Sequence, residues 1–279
     1  MAREKERDIK DVGTLVIDVH THLPPDVSLE KIIENVDKAV IMARQGMTAR
    51  ETLDFHAKYP DRVIPFVPFQ VRGWILDEPN FLWEVERYLK TGKFKGMGEV
   101  VLWHYGVPEI GAREFDIPAD SDRMKHVVKL AAKYKVPVLI HLEAEPETVT
   151  QLGNILRYER GATIIWGHSG RATAEIVNKM LQENLNLYCD TAALDRTRSY
   201  GREKNPITDE GGKLISGWKA LFEIYPDRFM LGMDGVIAQH YNSPAYIKAV
   251  TAQREILAQI APNVARKVAY QNVKELLKL

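Results

Sequence analysis

The sequence predicts an α/β protein in which eight parallel strands and the helices between them close into a (β/α)8 barrel. Eight short β-rich runs alternate with longer segments of helical periodicity along the 279 residues. Several of these runs are almost continuously apolar, which is typical of parallel strands buried on both faces. The length suits a single barrel domain spanning residues 1–279. An open doubly wound sheet is the alternative fold, and we find no glycine-rich phosphate loop at the first strand to favour it.

The predicted elements follow one another in a regular order. The strands are rich in Val, Ile, Leu and Phe and cover residues 14–20, 38–43, 62–69, 94–102, 136–141, 162–168, 185–190 and 228–234. Helical segments lie at 49–59, 122–134, 146–160, 172–184 and 211–225, and extra C-terminal helices at 244–257 and 263–279. The longest stretch without a predicted element, 191–212, follows the seventh strand, and loops of this length are often lids or binding loops.

Composition limits the classes of function. The formal net charge of zero gives no support for a nucleic-acid or membrane surface. The one cysteine, Cys189, cannot form an internal disulfide and fits a reducing compartment. The charged N-terminus lacks the apolar core of a secretory signal, and no apolar run approaches the roughly 18 residues of a membrane span. We therefore expect a soluble, cytoplasmic protein with a small-molecule substrate, and base rates alone suggest a homodimer.

Residue types that ligate metal ions lie at the ends of several predicted strands. They are His20 and His22 on strand one, Glu99 on strand four, His141 on strand five, His168 on strand six and Asp234 on strand eight. The carboxyl ends of parallel barrel strands open at one mouth, where these side chains would converge. Residues i and i+2 of a strand share a face, with Cα atoms about 6.5–7 Å apart. His20 and His22 could therefore clamp one ion.

A second interpretation gives these histidines no metal-binding role, because a lone histidine at a strand end is commonly an ordinary polar residue. However, four of the eight histidines fall at strand ends, and two further strands carry acids. The joint pattern favours a metal site. Asp18, next to the histidine pair, is expected to be a supporting or structural acid that faces the outer layer of the barrel.

The motifs DVHTH, GEV, LIH, WGHSG and LGMD occur in that order along almost the whole chain. Together they resemble the amidohydrolase superfamily of metal-dependent hydrolases, above all its amidohydrolase-related and TatD-like branches. The resemblance implies a distorted TIM-type barrel. It also implies one or two divalent ions, one held by His20, His22 and Asp234, a second by His141 and His168, with Glu99 bridging. The segment GMDGVIAQHY departs from the GSD pattern that many members show at strand eight.

The number and identity of the ions stay open in this interpretation. Histidine and carboxylate ligands suggest zinc first, with manganese, iron or nickel as alternatives. In members with one ion, His168 would act on the substrate rather than on the metal.

The resemblance implies an enzyme in which metal-activated water attacks a small ester, lactone, amide or phosphoester that could be anionic. Asp234 would act as the general base, with His168 as a second catalytic residue. One alternative is a single-metal decarboxylase, a lyase of the same superfamily. A TatD-like nuclease is another, which the neutral charge and the lack of a basic aromatic stripe disfavour. A non-catalytic metal-binding protein is the fourth hypothesis.

Substrate contacts are predicted for Arg171, Arg72, Trp103 and His104, which lie just beyond strand ends. Guanidinium groups pair well with carboxylates and phosphates, and aromatic rings often wall a pocket. Arg196, Arg198 and Arg202 in the long loop are further candidates. For each of these residues a solvated surface position or ordinary packing is an equally open interpretation.

Overall fold

The computed structural model describes residues 15–24, 26–43, 48–69, 71–108, 112–195, 205–242 and 244–279. Nine strands within these ranges belong to one sheet. They are β1 (Ile17–Leu23), β2 (Lys38–Ala43), β3 (Val63–Pro68), β4 (Gly96–Val107), β5 (Ala112–Asp116), β6 (Val138–Leu142), β7 (Ile164–Trp166), β8 (Leu187–Asp190) and β9 (Phe229–Met230). Eight of them are parallel neighbours in the order β1-β2-β3-β4-β6-β7-β8-β9, while β5 pairs with β4 in the antiparallel direction.

The first strand also bonds to the segment that follows the last one. Val19 N donates to Leu231 O at 3.0 Å, Asp234 N to His20 O at 2.7 Å, and His22 N to Gly235 O at 3.1 Å. These bonds bring the two edges of the sheet together, so the eight parallel strands form a nearly closed barrel. The predicted (β/α)8 fold is confirmed.

Helices lie between the strands and after the last of them. They are α1 (Leu29–Ile33), α2 (Ala49–Lys58), α3 (Val71–Ile75), α4 (Phe81–Leu89), α5 (Asp122–Tyr134), α6 (Pro146–Tyr158), α7 (Ala174–Glu183), α8 (Ser216–Ile224), α9 (Ala238–Tyr241), α10 (Ala245–Leu257), α11 (Pro262–Arg266) and α12 (Asn272–Leu277). The predicted helix 263–279 consists of α11, a π-helical turn at Lys267–Gln271 and α12. None of the helices described is long and apolar enough to cross a lipid bilayer.

The main departure from the predicted elements is a hairpin at the mouth of the barrel. The predicted strand 94–102 continues to Val107, and β5 folds back on it, pairing Trp103 with Asp116 and Tyr105 with Glu114. The first seven residues of β4 are buried, whereas the last five are half-buried, because only the first part lies within the barrel wall.

A β-bulge in β1 changes the face on which its side chains lie. Ile17 and Val19 pack with apolar residues of β2, β3, β6, β7 and β9 in the barrel interior. The register against β2 shifts between Asp18 and Thr21. Bulges next to active sites commonly redirect a side chain. Here the bulge turns His20 toward the centre while Asp18 and Thr21 bond to each other (Thr21 Oγ1 donates to Asp18 Oδ2, 2.6 Å).

Candidate metal centre

The six side chains predicted as metal ligands lie together at the carboxyl ends of the strands, and all six are buried. The histidine pair of β1 faces the carboxylate of Glu99 on β4. His20 Nε2 is 3.3 Å from Glu99 Oε1, and His22 Nε2 is 3.2 Å from Glu99 Oε2. Each oxygen of this carboxylate therefore lies beside one imidazole of the pair.

The second histidine pair contacts the same carboxylate at Oε1, the oxygen that also faces His20. His141 Nδ1 lies 2.9 Å and His168 Nε2 3.6 Å from Glu99 Oε1. The two imidazoles also contact each other, with His168 Nε2 at 3.1 Å from His141 Nδ1. Glu99 thus stands between two pairs of histidines.

Asp234 completes the cluster on the side of β1. Its Oδ1 is 3.7 Å from both His20 Nε2 and His22 Nε2. The side chain of Asp234 is 11% exposed and that of Glu99 is 5% exposed. Asp234 is therefore the more accessible carboxylate of the two.

The donor set fits one or two divalent cations. Among the described residues, His20 Nε2 is buried and has no hydrogen-bond partner. Leaving such a buried group unsatisfied costs about 1–3 kcal/mol, which a bound cation would offset. Potential ligand atoms within 4.8 Å of one another form three groups of the predicted ligands: His20, His22 and Glu99; Glu99, His141 and His168; and His20, His168 and Asp234. Imidazole and carboxylate are the ligands that zinc and manganese commonly take in proteins.

Hydrogen bonds on the far side of two imidazoles determine which nitrogen faces the centre. His168 Nδ1 lies 2.9 Å from the carbonyl oxygen of Ala192, which can only accept, so Nδ1 carries the proton and Nε2 offers its lone pair. His20 Nδ1 lies 2.9 Å from Asp190 Oδ2, which leaves His20 Nε2 for the centre in the same way. Outer hydrogen bonds of this kind orient metal-ligating histidines.

Sequence reasoning missed Asp190. This carboxylate is fully buried, and its Oδ1 accepts from His168 N at 2.7 Å and from Ala192 N at 3.0 Å. It therefore supports His20 and the turn that carries His168 at the same time. Its position as the last residue of a predicted strand was the available signal.

The carboxylates give the cation-free centre a strong preference for positive charge. Burial lowers the pKa of His20, but Asp190 and Glu99 outweigh it and hold that pKa well above its usual value. Burial also lowers the pKa of His141, yet Glu99 and Glu143 raise it to about 9. For Glu99, burial raises the pKa, and His20 and His141 bring it well below the ordinary range. Bound divalent cations would supply the positive charge that protons supply here.

A left-handed turn after β7 positions His168. The predicted strand 162–168 ends at Trp166, and the 3-10 turn Gly167–Arg171 follows. His168, Ser169, Gly170 and Arg171 have φ of 55°, 46°, 63° and 49°. Each non-glycine residue in this region costs roughly 1–2 kcal/mol, and such strain clusters at functional sites.

Contacts on several sides hold this turn in place. Ser169 Oγ donates to Asp190 O at 2.7 Å, and Ala144 N donates to Gly170 O at 2.8 Å. A Cβ at position 170 would overlap the indole of Trp166, so the turn also requires glycine there.

Three of the four predicted substrate-contact residues can be examined near the centre. Arg171 Nε lies 3.6 Å from Glu143 Oε1, and the ring of His104 is 4.6 Å from that of His141. Burial lowers the pKa of His104 to about 4, so its ring is neutral near pH 7. Trp103 is half-buried, packs against the hydrophobic core and lies 4.4 Å from the ring of Tyr105.

The side chain of Arg72 lies outside the described part of the structure, as do the loop residues Arg196, Arg198 and Arg202.

Glu143, two residues after His141, is a second residue that sequence reasoning missed. Its Oε2 accepts from Tyr105 N at 2.8 Å, and its Oε1 lies 3.7 Å from His141 Nε2. An acid next to a strand-end histidine was the signal for it. Glu143 links the β4–β5 hairpin to the ring of His141.

Asp18 has the structural role that was expected for it. Its carboxylate accepts from Thr21 Oγ1, from Met233 N at 3.0 Å and from the hydroxyl of Tyr246 at 3.0 Å. Burial raises its pKa to about 6. These bonds tie β1 to the segment after β9 and to α10.

The fold is shared with solved enzyme structures. The 2,6-dihydroxybenzoate decarboxylase from Rhizobium has a TM-score of 0.59 and 14% identity over 95% of this chain and 99% of that one. The 5-carboxyvanillate decarboxylase from Novosphingobium aromaticivorans, complexed with manganese and 4-hydroxy-3-methoxy-5-nitrobenzoic acid, has a TM-score of 0.62 and 14% identity over 97% and 99%. Dihydroorotase from Campylobacter jejuni has a TM-score of 0.55 and 15% identity over 95% and 84%.

Sequence comparison gives the family directly. No curated protein matches the chain. The family model described as Amidohydrolase matches residues 17–279, which include every strand of the barrel and all six predicted ligands. The chain therefore belongs to the amidohydrolase family.

Proposed function

We propose that this protein is a hydrolase that uses two divalent cations to cleave a small ester, lactone, amide or phosphoester with water. The observation that carries the proposal is the position of Glu99, whose carboxylate contacts both histidine pairs. A carboxylate shared by two ligand groups is suited to bridging two ions. His20, His22 and Asp234 would hold one ion, and His141 and His168 the other.

Divalent cations bound in this centre would lower the pKa of water and polarise the carbonyl or phosphoryl oxygen of the substrate. A side chain of the protein would carry out the remaining proton transfer. Asp234 would accept the proton of the attacking water on its carboxylate and return it to the leaving group. Its greater exposure than Glu99 supports this role, because one oxygen can face the substrate.

We propose zinc as the preferred metal. Zinc suits the mixture of imidazole and carboxylate ligands. Two of the decarboxylase structures with this fold contain manganese, so both ions should be tested.

A second candidate function is decarboxylation with a single cation. One observation favours it, because His20, His168 and Asp234 form a ligand group that does not include Glu99. Decarboxylases are also among the solved structures with the same fold, which favours this second reaction. The two reactions differ in their products, since hydrolysis of an ester releases a proton near neutral pH whereas decarboxylation releases carbon dioxide and takes up a proton.

The test is a paired assay on zinc- and manganese-loaded protein. Proton release is followed with a panel of esters and lactones, and carbon dioxide release with hydroxybenzoates. Asp234→Asn should lower hydrolysis by about 10²–10⁴-fold, the range typical of general acid–base catalysis. Asp227→Asn is the matched control, because Asp227 is an exposed acid that pairs with Lys267.

Cation content is measured on both variants, so that loss of a proton acceptor is distinguished from loss of metal. Unchanged hydrolysis in Asp234→Asn would overturn its assignment as the base. Carbon dioxide release without hydrolysis would replace the first function with the second.

A further inference from the structure

We propose that the substrate carries an anionic group, a carboxylate or a phosphate, and that the guanidinium of Arg171 binds it. The inference rests on the proposed function and names the class of molecule on which the same centre acts.

The Arg171 side chain is mostly buried beside the centre. It is 18% exposed, and its Nε is buried. The Nε–H donates no hydrogen bond to a residue that the structure describes, and Glu143 Oε1 lies 3.6 Å from Nε, beyond a hydrogen bond. Buried donors are normally satisfied, so this unsatisfied Nε on a mostly buried side chain at the mouth of the barrel indicates a ligand that completes the guanidinium.

The backbone restrains the position of the Arg171 side chain. Arg171 is the last of four consecutive residues with positive φ, in the same turn that places His168. Asn205 Nδ2 donates to Arg171 O at 3.1 Å, which holds the end of the turn. A solvated surface arginine would need no such restraint, whereas a residue that must meet a substrate beside His168 does.

Glu143 is the one carboxylate beside Arg171 in the described residues. Tyr105 N donates to Glu143 Oε2 at 2.8 Å, and His141 Nε2 lies 3.7 Å from Oε1. Glu143 is therefore anchored to the hairpin through Oε2, while its Oε1 lies at ion-pair distance from both His141 and Arg171 and accepts no hydrogen bond from the guanidinium. The fork of Arg171 keeps its donors for a planar or tetrahedral anion, the geometry that guanidinium binds in a bidentate manner.

With two cations bound, the charges of the centre balance. Five buried carboxylates lie in or beside it, namely Glu99, Asp190, Asp234, Glu143 and Asp18, and Arg171 is the one guanidinium described there. Two divalent cations and Arg171 would neutralise these carboxylates, whereas a single cation would leave two net negative charges. A two-cation centre therefore repels an anionic substrate less than a one-cation centre does.

The test measures binding of inorganic phosphate to zinc-loaded protein by calorimetry at constant ionic strength. Hydrogen bonds from a charged group contribute about 1.5–3 kcal/mol, so Arg171→Gln should weaken phosphate binding by about 10- to 100-fold. Arg171→Lys keeps the positive charge but loses the planar guanidinium and its parallel N–H donors. Its phosphate affinity should lie between those of wild type and Arg171→Gln. Arg157→Gln is the matched control, since Arg157 is exposed on α6 and bonds to Asn154.

Cation content and the thermal unfolding midpoint are recorded for each variant to show that the centre is intact. Equal phosphate affinity in wild type and Arg171→Gln, or no phosphate binding by wild type, would overturn the inference.

A second measurement separates this inference from the proposed function. The ratio of kcat/KM for the 4-nitrophenyl monoester of succinate to that for neutral 4-nitrophenyl butyrate should fall about 10-fold or more in Arg171→Gln, by the same loss of charged hydrogen bonds. If wild type binds phosphate through Arg171 but hydrolyses no ester, lactone, amide or phosphoester, the hydrolase proposal fails and the anion site stands. If both esters are cleaved with the same ratio in Arg171→Gln, the anion site fails and the hydrolase proposal stands.

Discussion

Replacement of Asp190 by asparagine should disable His20 as a metal ligand without changing the shape of the site. One carboxylate oxygen accepts from two backbone N–H groups, those of His168 and Ala192, and the other faces His20 Nδ1 at 2.9 Å. The amide oxygen of the substituted side chain should stay with the two backbone donors, because the reverse orientation sets an NH2 group against both. The NH2 group then donates to His20 Nδ1, and the imidazole proton moves to Nε2, the nitrogen that faces the centre.

The size of the effect follows from the loss of this one carboxylate. Removing an outer partner of a metal-ligating histidine typically lowers cation affinity by 10- to 100-fold, or about 1.4–2.7 kcal/mol. The assay is a competition titration of zinc between the protein and a chromophoric chelator, with Asp227→Asn as the control. An affinity in Asp190→Asn equal to that of wild type would refute the assignment of His20 Nε2 as a ligand.

Three further predictions address the bridge, the protonation of the centre and the strained turn. Glu99→Gln should reduce the bound cations from two to one or none by elemental analysis, whereas Glu223→Gln, at an exposed position of α8, should not; two cations in Glu99→Gln would exclude the bridging role. In cation-free protein, the pKa of His141 is raised to about 9. Protonated His141 therefore contributes its whole share to the free energy of unfolding below pH 6.5, and this share is lost as the pH rises through 9. Urea unfolding of chelator-treated protein from pH 6 to 9 should show this decline, and it should be smaller in His141→Asn. Gly170→Ala should lower the free energy of unfolding by about 1–3 kcal/mol more than Gly92→Ala, because both glycines have positive φ but only a Cβ at 170 meets an indole; equal losses would contradict the packing argument.

The parallel strands could be predicted because their burial on both faces leaves continuous apolar runs in the sequence. Elements outside the barrel wall leave weaker patterns. Helices α1 and α3 have five residues each, too few for helical periodicity to show. The β4–β5 hairpin escaped prediction because its half-buried residues give no continuous apolar run.

The six candidate ligands could be predicted because the carboxyl ends of the strands in a parallel barrel converge independently of the conformation of the loops. Asp190 and Glu143 also stand at strand ends, but a polar residue there is commonplace. Which of them faces the centre depends on the backbone conformation of the turn at 167–171 and of the hairpin, and the residue types alone do not give either conformation. The bulge in β1, which turns His20 inward, depends on register against β2 and leaves no sequence pattern of its own.

The central claim is that Glu99 joins two cation sites in one centre. The most direct measurement is the number of divalent cations per chain, by elemental analysis of protein purified without chelator and then reconstituted with zinc or manganese. Two equivalents are predicted for wild type. One equivalent would contradict the two-cation hydrolase and favour the single-cation decarboxylase, and none after reconstitution would contradict the metal centre itself.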